Sequence, residues 1–367
     1  MEKIIFRASL FVLVSACLIS TGLAQSGSSQ IFPGINSNDN VTIGNLNPQS
    51  TTATIAFYDS SGKLNSMTVE LASGVQTRVN TSTLGLTSFS GSVVVSGPLA
   101  LAVSADRFEG TAFDFIYPSQ PSNELVIPFL PSGASVDVNV FNPGPNQAEV
   151  KVVLIQASGA HTDARTATVE ALHTTTINIP ADTAVAYAFV VTANLLRPDS
   201  PVAANAVIRN FAAGTSGAVP RTDFAVVPAV PRNQFGTSST VPFFAQGPDY
   251  FSMVQVDNLS SSEQTVSILA TRADGTPLPG TNNPASVVLS PYGSKLQEMS
   301  SLFGSTSTTF FTGTITVTSQ GTKTTAGATS GPKVPLTAAV AIGNISEPSF
   351  AVMLPVAAQT GLGFQLR

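Results

Sequence analysis

Apolar and polar residues alternate with a period of two along much of the chain, and this pattern predicts β-strands. The alternation is clearest at 135–140, which reads Ser-Val-Asp-Val-Asn-Val, and at 314–318, which reads Thr-Ile-Thr-Val-Thr. Turn-forming residues separate such runs every 8 to 12 residues or so, a spacing typical of all-β sandwiches. Helical periodicity is almost absent, and single turns of helix are expected only at 193–197 and 295–303. The pattern therefore predicts an all-β fold.

The strand pattern occurs three times. Each copy has an alternating strand that ends at an Asn, then a second apolar run, then a Gly 17 residues after the Asn. The asparagines are Asn45, Asn142 and Asn258, and the glycines are Gly62, Gly159 and Gly275. Because Asn, Asp and Gly favour tight turns, the constant interval predicts the same β-hairpin in every copy, with the Asn in a structural role at its turn.

Later landmarks repeat as well. A strand that follows a Pro leads to a closing strand that begins with Phe113, Phe224 or Phe350, which we interpret as core residues. Together the landmarks predict three tandem immunoglobulin-like β-sandwich modules after a signal peptide. Their predicted ranges are 31–118 (module 1), 125–228 (module 2) and 240–355 (module 3).

The remaining segments are expected to connect or extend the modules. The polar, Pro-containing segments 119–124 and 229–239 are predicted to be semi-stiff spacers. The Gly-, Ser- and Thr-rich segment 319–333 is predicted to be a mobile loop, and 356–367 a C-terminal tail.

The order of an alternating strand, an Asn-Pro or Asn-Leu turn, an apolar strand and an Asp-Gly turn resembles that of bacterial secreted immunoglobulin-like modules. The nearest family is that of CARDB-type adhesion-related modules, and tandem repeats of uncharacterised exported bacterial proteins are also similar. Module 2 has the Asn142-Pro143 form, whereas Leu46 and Leu259 depart from it. The resemblance covers nearly the whole chain after the export signal. It implies a non-catalytic role at the cell surface or outside the cell, with no residue-level site.

The first 24 residues have the pattern of a cleaved export signal. A charged start at 2–7 precedes an apolar stretch at 8–19, and small residues at 22 and 24 precede cleavage before Gln25. Cys17 follows Val-Ser-Ala, which resembles a lipobox and makes it a candidate lipidation site, although a plain signal is preferred. No later segment has the roughly 20 apolar residues of a transmembrane helix. We therefore expect an extracellular or cell-surface protein, with the periplasm left open and no transmembrane span in the mature chain.

The amino-acid composition narrows the range of possible functions. The net charge of −5 argues against nucleic-acid binding, which needs a basic face. With 43% hydrophobic residues in patterned runs, the chain is expected to fold although only 10% of it is charged. Two His and one Cys leave little material for metal or thiol chemistry, and no Gly-rich phosphate-binding fingerprint occurs. We expect no cofactor and no catalytic or metal-ligating residues.

The few groups that could carry chemistry are given structural interpretations. His161 and His173 are expected in solvated loops. Asp106, Glu109 and Asp114 lie close in sequence, and a solvated strand edge is preferred over a carboxylate site for hydrolysis. The oxygen-rich segment 36–40 is interpreted as a turn, with weak calcium binding as the alternative.

The leading hypothesis is a non-catalytic secreted or cell-surface structural or adhesive protein. Its partners would be itself, another cell-surface protein or a polysaccharide, and self-association through strand edges is left open. The alternative is a polysaccharide- or surface-ligand-binding protein, with Tyr250 or Tyr292 as candidate contacts. A carboxylate-dependent hydrolase around Asp106 and Asp114 is less favoured.

Overall fold

The fold is that of a computed structural model of the chain. The structure describes residues 29–84, 86–109, 112–192, 200–211, 224–305, 309–323, 329–330, 332–344 and 350–355. The predicted signal peptide at 1–24 with Cys17, the helical turn at 193–197 and the tail at 356–367 lie outside the described residues. So do the side chains of Phe113 and Phe350.

The described residues form 26 strands and one short α-helix, and the strands fall into three consecutive sets. The first set is β1 (Gln30–Asn36), β2 (Asn40–Asn45), β3 (Thr51–Asp59), β4 (Gly62–Leu71), β5 (Gln76–Asn80), β6 (Ser90–Ser96), β7 (Leu101–Glu109) and β8 (Ala112–Ile116). The second set is β9 (Glu124–Ile127), β10 (Ser135–Phe141), β11 (Ala148–Ile155), β12 (His161–Val169), β13 (Thr174–Ile179), β14 (Tyr187–Thr192), β15 (Ala203–Arg209), β16 (Phe224–Pro228) and β17 (Val230–Pro231).

The third set is β18 (Ser238–Gln246), β19 (Tyr250–Asn258), β20 (Gln264–Arg272), β21 (Ala285–Leu289), β22 (Ser294–Glu298), β23 (Phe311–Lys323), β24 (Thr329–Ser330), β25 (Leu336–Asn344) and β26 (Phe350–Met353). The helix α1 (Met299–Phe303) lies between β22 and β23, and 3₁₀ turns occur at Thr81–Leu84 and Arg232–Gln234. Within the described residues, no helix has both the length and the apolar character needed to cross a membrane.

The same strand order occurs in all three sets. The first sheets are β1-β6-β3-β4, β9-β14-β11-β12 (with β17 added beside β9) and β18-β23-β20-β21. The second sheets are β5-β2-β7-β8, β13-β10-β15-β16 and β22-β19-β25-β26. All pairs between these strands are antiparallel, as in β3 with β4 and β3 with β6. The all-β sandwich prediction is confirmed, and one sandwich topology recurs along the chain.

Alternation along each strand builds the cores. In β3, Ala53, Ile55 and Phe57 are buried while Thr52 and Thr54 are exposed, because successive side chains point to opposite faces of a sheet. The buried side chains of the two sheets of each set pack together, as those of β3 do with those of β2 and β6. Full burial of a side chain as large as Phe57 contributes roughly 1.5–3 kcal/mol.

Each repeated Asn joins the two sheets of its module. The side chain of Asn45, Asn142 or Asn258 is fully buried and donates from Nδ2 to the backbone oxygen four residues later, at 2.7 Å in every copy. It also donates, at 2.9–3.1 Å, to the backbone oxygen of a residue at or next to the end of the fourth strand. Its Oδ1 accepts from the backbone N–H two residues on. The repeated asparagines are therefore structural.

The prediction that segments 119–124 and 229–239 are spacers between the modules is wrong. Ser119 is buried and pairs with Ile31 of β1, and Ser122 exchanges backbone hydrogen bonds with Val202. In the second spacer, Ala229 is buried and β17 adds to the sheet of β9. Polar composition indicated exposure, but the backbone of these segments pairs with the modules beside them. The loop predicted at 319–333 is also partly wrong, since β23 continues through Lys323.

Candidate functional site

The contact between modules 1 and 2 joins two sheet faces. The outer face of the first sheet of module 1 presents Ile31, Tyr58 and Val94. Phe141 and Ala203, on the outer face of the second sheet of module 2, pack on them and are fully buried. At the side of this contact, three buried residues of module 2 join the core of module 1: Val207, Phe224 and Val226.

The contact between modules 2 and 3 is built in the same way. Its apolar cluster joins Val126, Ile155 and Phe189, on the first sheet of module 2, to Leu259 and Tyr292 of module 3. Four buried residues of module 3 also join the core of module 2: Phe251, Ala339, Ala341 and Val352. The modules are therefore held together by buried apolar surface rather than by linkers.

A side-chain amide of the following module binds a proline carbonyl at each contact. The Nδ2 of Asn205 donates to the Pro33 oxygen at 2.6 Å, and the Nε2 of Gln255 donates to the Pro128 oxygen at 3.0 Å. Asn205 pairs across strands with Asn139, which lies three residues before Asn142, just as Gln255 lies three residues before Asn258. The two amides thus approach from neighbouring strands, since Gln255 occupies the Asn139 position and Asn205 is the cross-strand partner of that position.

The hairpin glycines lie beneath the following module. Gly62 and Gly159 have positive φ angles of 108° and 87°. A Cβ at Gly62 would lie 3.3 Å from the ring of His173, and one at Gly159 would lie 2.0 Å from the oxygen of Pro291. His173 is half-buried rather than fully solvated as predicted, because its loop packs on the hairpin of module 1. His161 is exposed, and its ring lies edge-on to that of Tyr292 at 5.4 Å.

The corresponding face at the module 3 end of the chain is polar. The pairs Ile31–Val94 in module 1 and Val126–Phe189 in module 2 correspond to the pair Thr240–Thr316 in module 3. The hydroxyls of that pair lie 3.2 Å apart, and Thr240 is exposed.

Two more features mark the same open face. Thr271 occupies the position of Tyr58 and Ile155, since all three lie 13 residues after the repeated Asn. Nothing lies within 4 Å of a Cβ built at Gly275, the hairpin glycine of module 3. The face that receives the next module in modules 1 and 2 is therefore open and polar in module 3.

The face at the module 1 end is mixed, because Phe108, which is 47% exposed, and Phe115, the cross-strand partner of Asp106, share it with polar groups. Asp106 accepts from Arg78 at 2.6 Å and from Asn40 at 2.9 Å, and Thr42 pairs with Ser104 where module 2 has Asn139 and Asn205. Asp106 is only 7% exposed, so the prediction that it is solvated is wrong. Its cross-strand neighbours cover it.

Asp114 forms part of the contact between modules 1 and 2. The carboxylate is buried and accepts from the backbone N–H groups of Val226 at 2.6 Å and Phe115 at 2.8 Å. Burial raises its pKa to about 7, while those hydrogen bonds act in the opposite direction. The prediction that Asp114 lies at a solvated strand edge is therefore wrong as well. The carboxylate oxygens of Asp114 accept hydrogen bonds from backbone N–H groups, which suits a structural role.

A buried ion pair fixes the turn at 36–40. Arg107 donates to both oxygens of Asp39, with an NH2–Oδ2 distance of 2.6 Å, and also to the Gly34 oxygen, and both charged side chains are almost fully buried. Burial raises the pKa of Asp39, while the hydrogen bonds and charge of Arg107 lower it. The one carboxylate of this turn thus has a protein partner. In the described part of the chain, no group of three or more His, Cys, Asp or Glu could hold a metal ion.

Charged groups continue from this pair across the contact with module 2. Arg209 lies 3.3 Å from Glu109, which is 3.9 Å from Arg107, and Arg209 also binds Asp137 at 2.6 Å. Sequence reasoning missed Arg107, because a charged residue in an alternating strand looks like a solvent-facing position.

Asp257 lies inside the contact between modules 2 and 3. It is fully buried and accepts from Ser294 at 2.6 Å and from Gln255 at 2.9 Å, while its Oδ2 has no hydrogen-bond partner. Burial raises its pKa to about 8. The hydroxyl of Tyr187 donates nearby to the backbone oxygen of Tyr292 at 3.0 Å, and burial raises the pKa of Tyr187 also.

The two tyrosines proposed as ligand contacts have internal partners. Tyr292 packs within the contact between modules 2 and 3, and Tyr250 lies against Phe310 with ring centroids 5.5 Å apart. Neither forms an open stacking platform for a sugar ring.

A family model described as a family of unknown function (DUF5719) matches residues 21–282. No curated protein matches the chain. A GH2 beta-galacturonidase from Eisenbergiella tayi bound to galacturonate is similar at 10% identity and a TM-score of 0.17, over 90% of this chain and 43% of that one. An infectious bursal disease virus structure (Gx strain) is similar at 10% identity and a TM-score of 0.16, over 93% and 77%. The chain thus spans less than half the length of the galacturonidase, and neither likeness bears on function.

Proposed function

We propose that this chain, which belongs to the DUF5719 family of unknown function, is a non-catalytic structural protein that acts as a rigid spacer of fixed length outside the cell or at its surface. The observation that carries the proposal is the repeated contact between modules. Two contacts of the same construction, each with an apolar cluster and an amide-to-proline hydrogen bond, favour one rigid body over three hinged beads.

Polar groups on the end faces support a fixed length. In stacked repeat proteins, each repeat buries a face against its neighbour, and the terminal repeats need polar outer faces to stay soluble. Threonines at positions 240, 271 and 316 occupy one end, and the pair of Arg78 with Asp106 lies beside Phe108 at the other. The stack is expected to stop at three modules, which favours single chains over self-association.

The buried carboxylates support a non-catalytic role. Asp39, Asp106 and Asp114 each bind arginine, asparagine or backbone partners within the protein. A hydrolase built on Asp106 and Asp114 would need oxygens that are free to reach a substrate or a water. The placement outside the cell rests on the export-signal pattern of residues 1–24.

The end faces give the test of fixed length. Light scattering of residues 25–367 over a hundredfold concentration range should give the mass of one chain throughout. The variant Thr240→Ile/Thr271→Ile/Thr316→Val places on the open face the kinds of residue that the internal faces bury, so its mass should grow with concentration.

The matched control replaces three exposed threonines on edge strands: Thr68→Ile/Thr166→Ile/Thr168→Val. It adds a similar apolar area away from the end faces and should remain a single chain. Growth of the wild-type mass, or equal growth in both variants, would contradict a stack that ends at polar faces.

A further inference from the structure

We propose that module 3 carries a binding groove for an uncharged saccharide chain. The groove is an open surface depression of about 590 Å³ beside the edge strands β21 and β22. It is lined by residues 281–287 together with Gln297, Ser301 and Leu302. The proposal goes beyond the spacer role and stands without it.

The groove is formed by an insertion that module 3 alone contains. The third and fourth strands of a module are joined at 59–62 in module 1 and at 155–161 in module 2, but the interval in module 3 is 272–285. In the extra length, the N–H of Leu278 first bonds to the Ala270 oxygen, and residues 279–284 then form a loop before β21 begins. In repeat proteins, an insertion in one repeat often forms the binding surface.

Internal contacts hold the inserted loop in place. The side chain of Asn283 donates to the backbone oxygens of Ala270 and Leu278, both at 2.8 Å, and its Oδ1 accepts from the N–H of Ala270 at 3.1 Å. The backbone N–H of Asn282 donates to the Phe303 oxygen at the end of α1, at 3.0 Å. A loop fixed in this way loses little conformational entropy when a ligand binds.

Close contacts with α1 brace the loop further. A Cβ at Gly280 would lie 2.3 Å from the Phe303 oxygen, and one at Gly304 would lie 2.3 Å from Oγ1 of Thr281. Since any side chain at Gly280 would push the loop from the helix, the groove depends on this glycine. The shape of the groove is therefore set by contacts between the inserted loop and α1.

The chemistry of the lining fits a neutral saccharide. None of the lining residues is charged, and the exposed polar groups are amides and hydroxyls, among them those of Asn282, Ser286 and Ser301. These groups both donate and accept hydrogen bonds, as the hydroxyls of a sugar do. Val287, which is half-buried, offers an apolar contact for its C–H surfaces, and the buried Leu302 forms part of the groove floor. An ionic ligand would find no countercharge among them.

The test uses neutral gluco-, manno- and chito-oligosaccharides as probes, titrated calorimetrically into residues 25–367. At least one should bind with a dissociation constant in the micromolar-to-millimolar range. The double variant Asn282→Ala/Gln297→Ala should weaken that binding at least tenfold, because two side-chain hydrogen-bonding groups are lost. Asn65→Ala, an exposed amide in module 1, should leave it unchanged.

A blocking variant separates binding from folding. Ser286→Phe places a large side chain in the groove at an exposed position, so binding should be lost while the melting temperature stays near that of the wild type. Absence of binding by every probe at millimolar concentration would overturn the proposal. So would binding that the groove variants leave unchanged, tighter binding of acidic oligosaccharides, or capture of an extended peptide by the free edge of β21.

Discussion

Replacing Arg107 by Met is expected to destabilise the protein by roughly 3–5 kcal/mol, the usual cost of leaving one partner of a buried ion pair without its countercharge. Arg107 and Asp39 are almost fully buried, so water cannot take over the lost hydrogen bonds. The Gly34 oxygen would lose a donor as well. The free energy of unfolding from urea denaturation measures the effect, read from the transition that includes module 1.

Arg78→Met is the matched control for that experiment. Arg78 binds Asp106 at the same distance of 2.6 Å, but its side chain is 53% exposed, and exposed ion pairs contribute about 0–1 kcal/mol. The double variant Asp39→Leu/Arg107→Met removes both charges and should be more stable than Arg107→Met alone. A loss below about 1 kcal/mol for Arg107→Met would contradict the role assigned to the buried pair.

The stability of the protein is expected to fall as the pH rises from 5 to 8, because of Asp257. Its pKa is raised to about 8 in the folded state, against an ordinary value near 3.9. Between these values the folded protein keeps a proton that the unfolded chain has released. The stabilisation is therefore complete below pH 4 and is lost as the pH rises through 8, by up to about 1.4 kcal/mol per pH unit.

Asp257→Asn isolates this effect. The amide keeps an oxygen that can accept from Ser294 and Gln255, but it does not titrate. Denaturant unfolding at pH 5, 6, 7 and 8 should show a smaller pH dependence in the variant than in the wild type. Asp114, with a pKa of about 7, contributes a decrease of the same sign in both proteins. Equal pH dependence in wild type and variant would show that Asp257 is not the responsible group.

The hairpins and strands were predictable because they depend on local patterns. The alternation at 135–140 became β10, and the interval from Asn142 to Gly159 became the hairpin of β11 and β12. The helical turn predicted at 295–303 is confirmed in its second half, where α1 forms. The resemblance to CARDB-type modules stays a prediction. The family model that matches the chain is that of DUF5719.

The contacts between modules were not predictable, because an outward-facing apolar residue looks the same whether it meets solvent or another sheet. Ile31, Val126 and Phe189 read as ordinary strand residues, and only the fold shows that the next module covers them. A comparison of aligned positions offers one signal. The equivalents of these residues in module 3 include Thr240 and Thr316, so the apolar character is lost in that module.

The groove was missed for a similar reason. Residues 279–284 read as a turn rich in Pro, Gly and Asn, and nothing local indicates that Asn283 fixes the loop to β20. The difference in hairpin length between modules was visible in the sequence, and it is the feature that marks the site.

If the three modules form one rigid body, two spin labels placed in different modules lie at one fixed distance, which can be measured. The only Cys is Cys17, so residues 25–367 offer no competing thiol for labels at Thr68→Cys and Ser261→Cys, both exposed. Pulsed electron paramagnetic resonance should give a single narrow distance distribution between module 1 and module 3. A broad distribution, as expected for beads on mobile linkers, would show that the modules move independently and are not one rigid body.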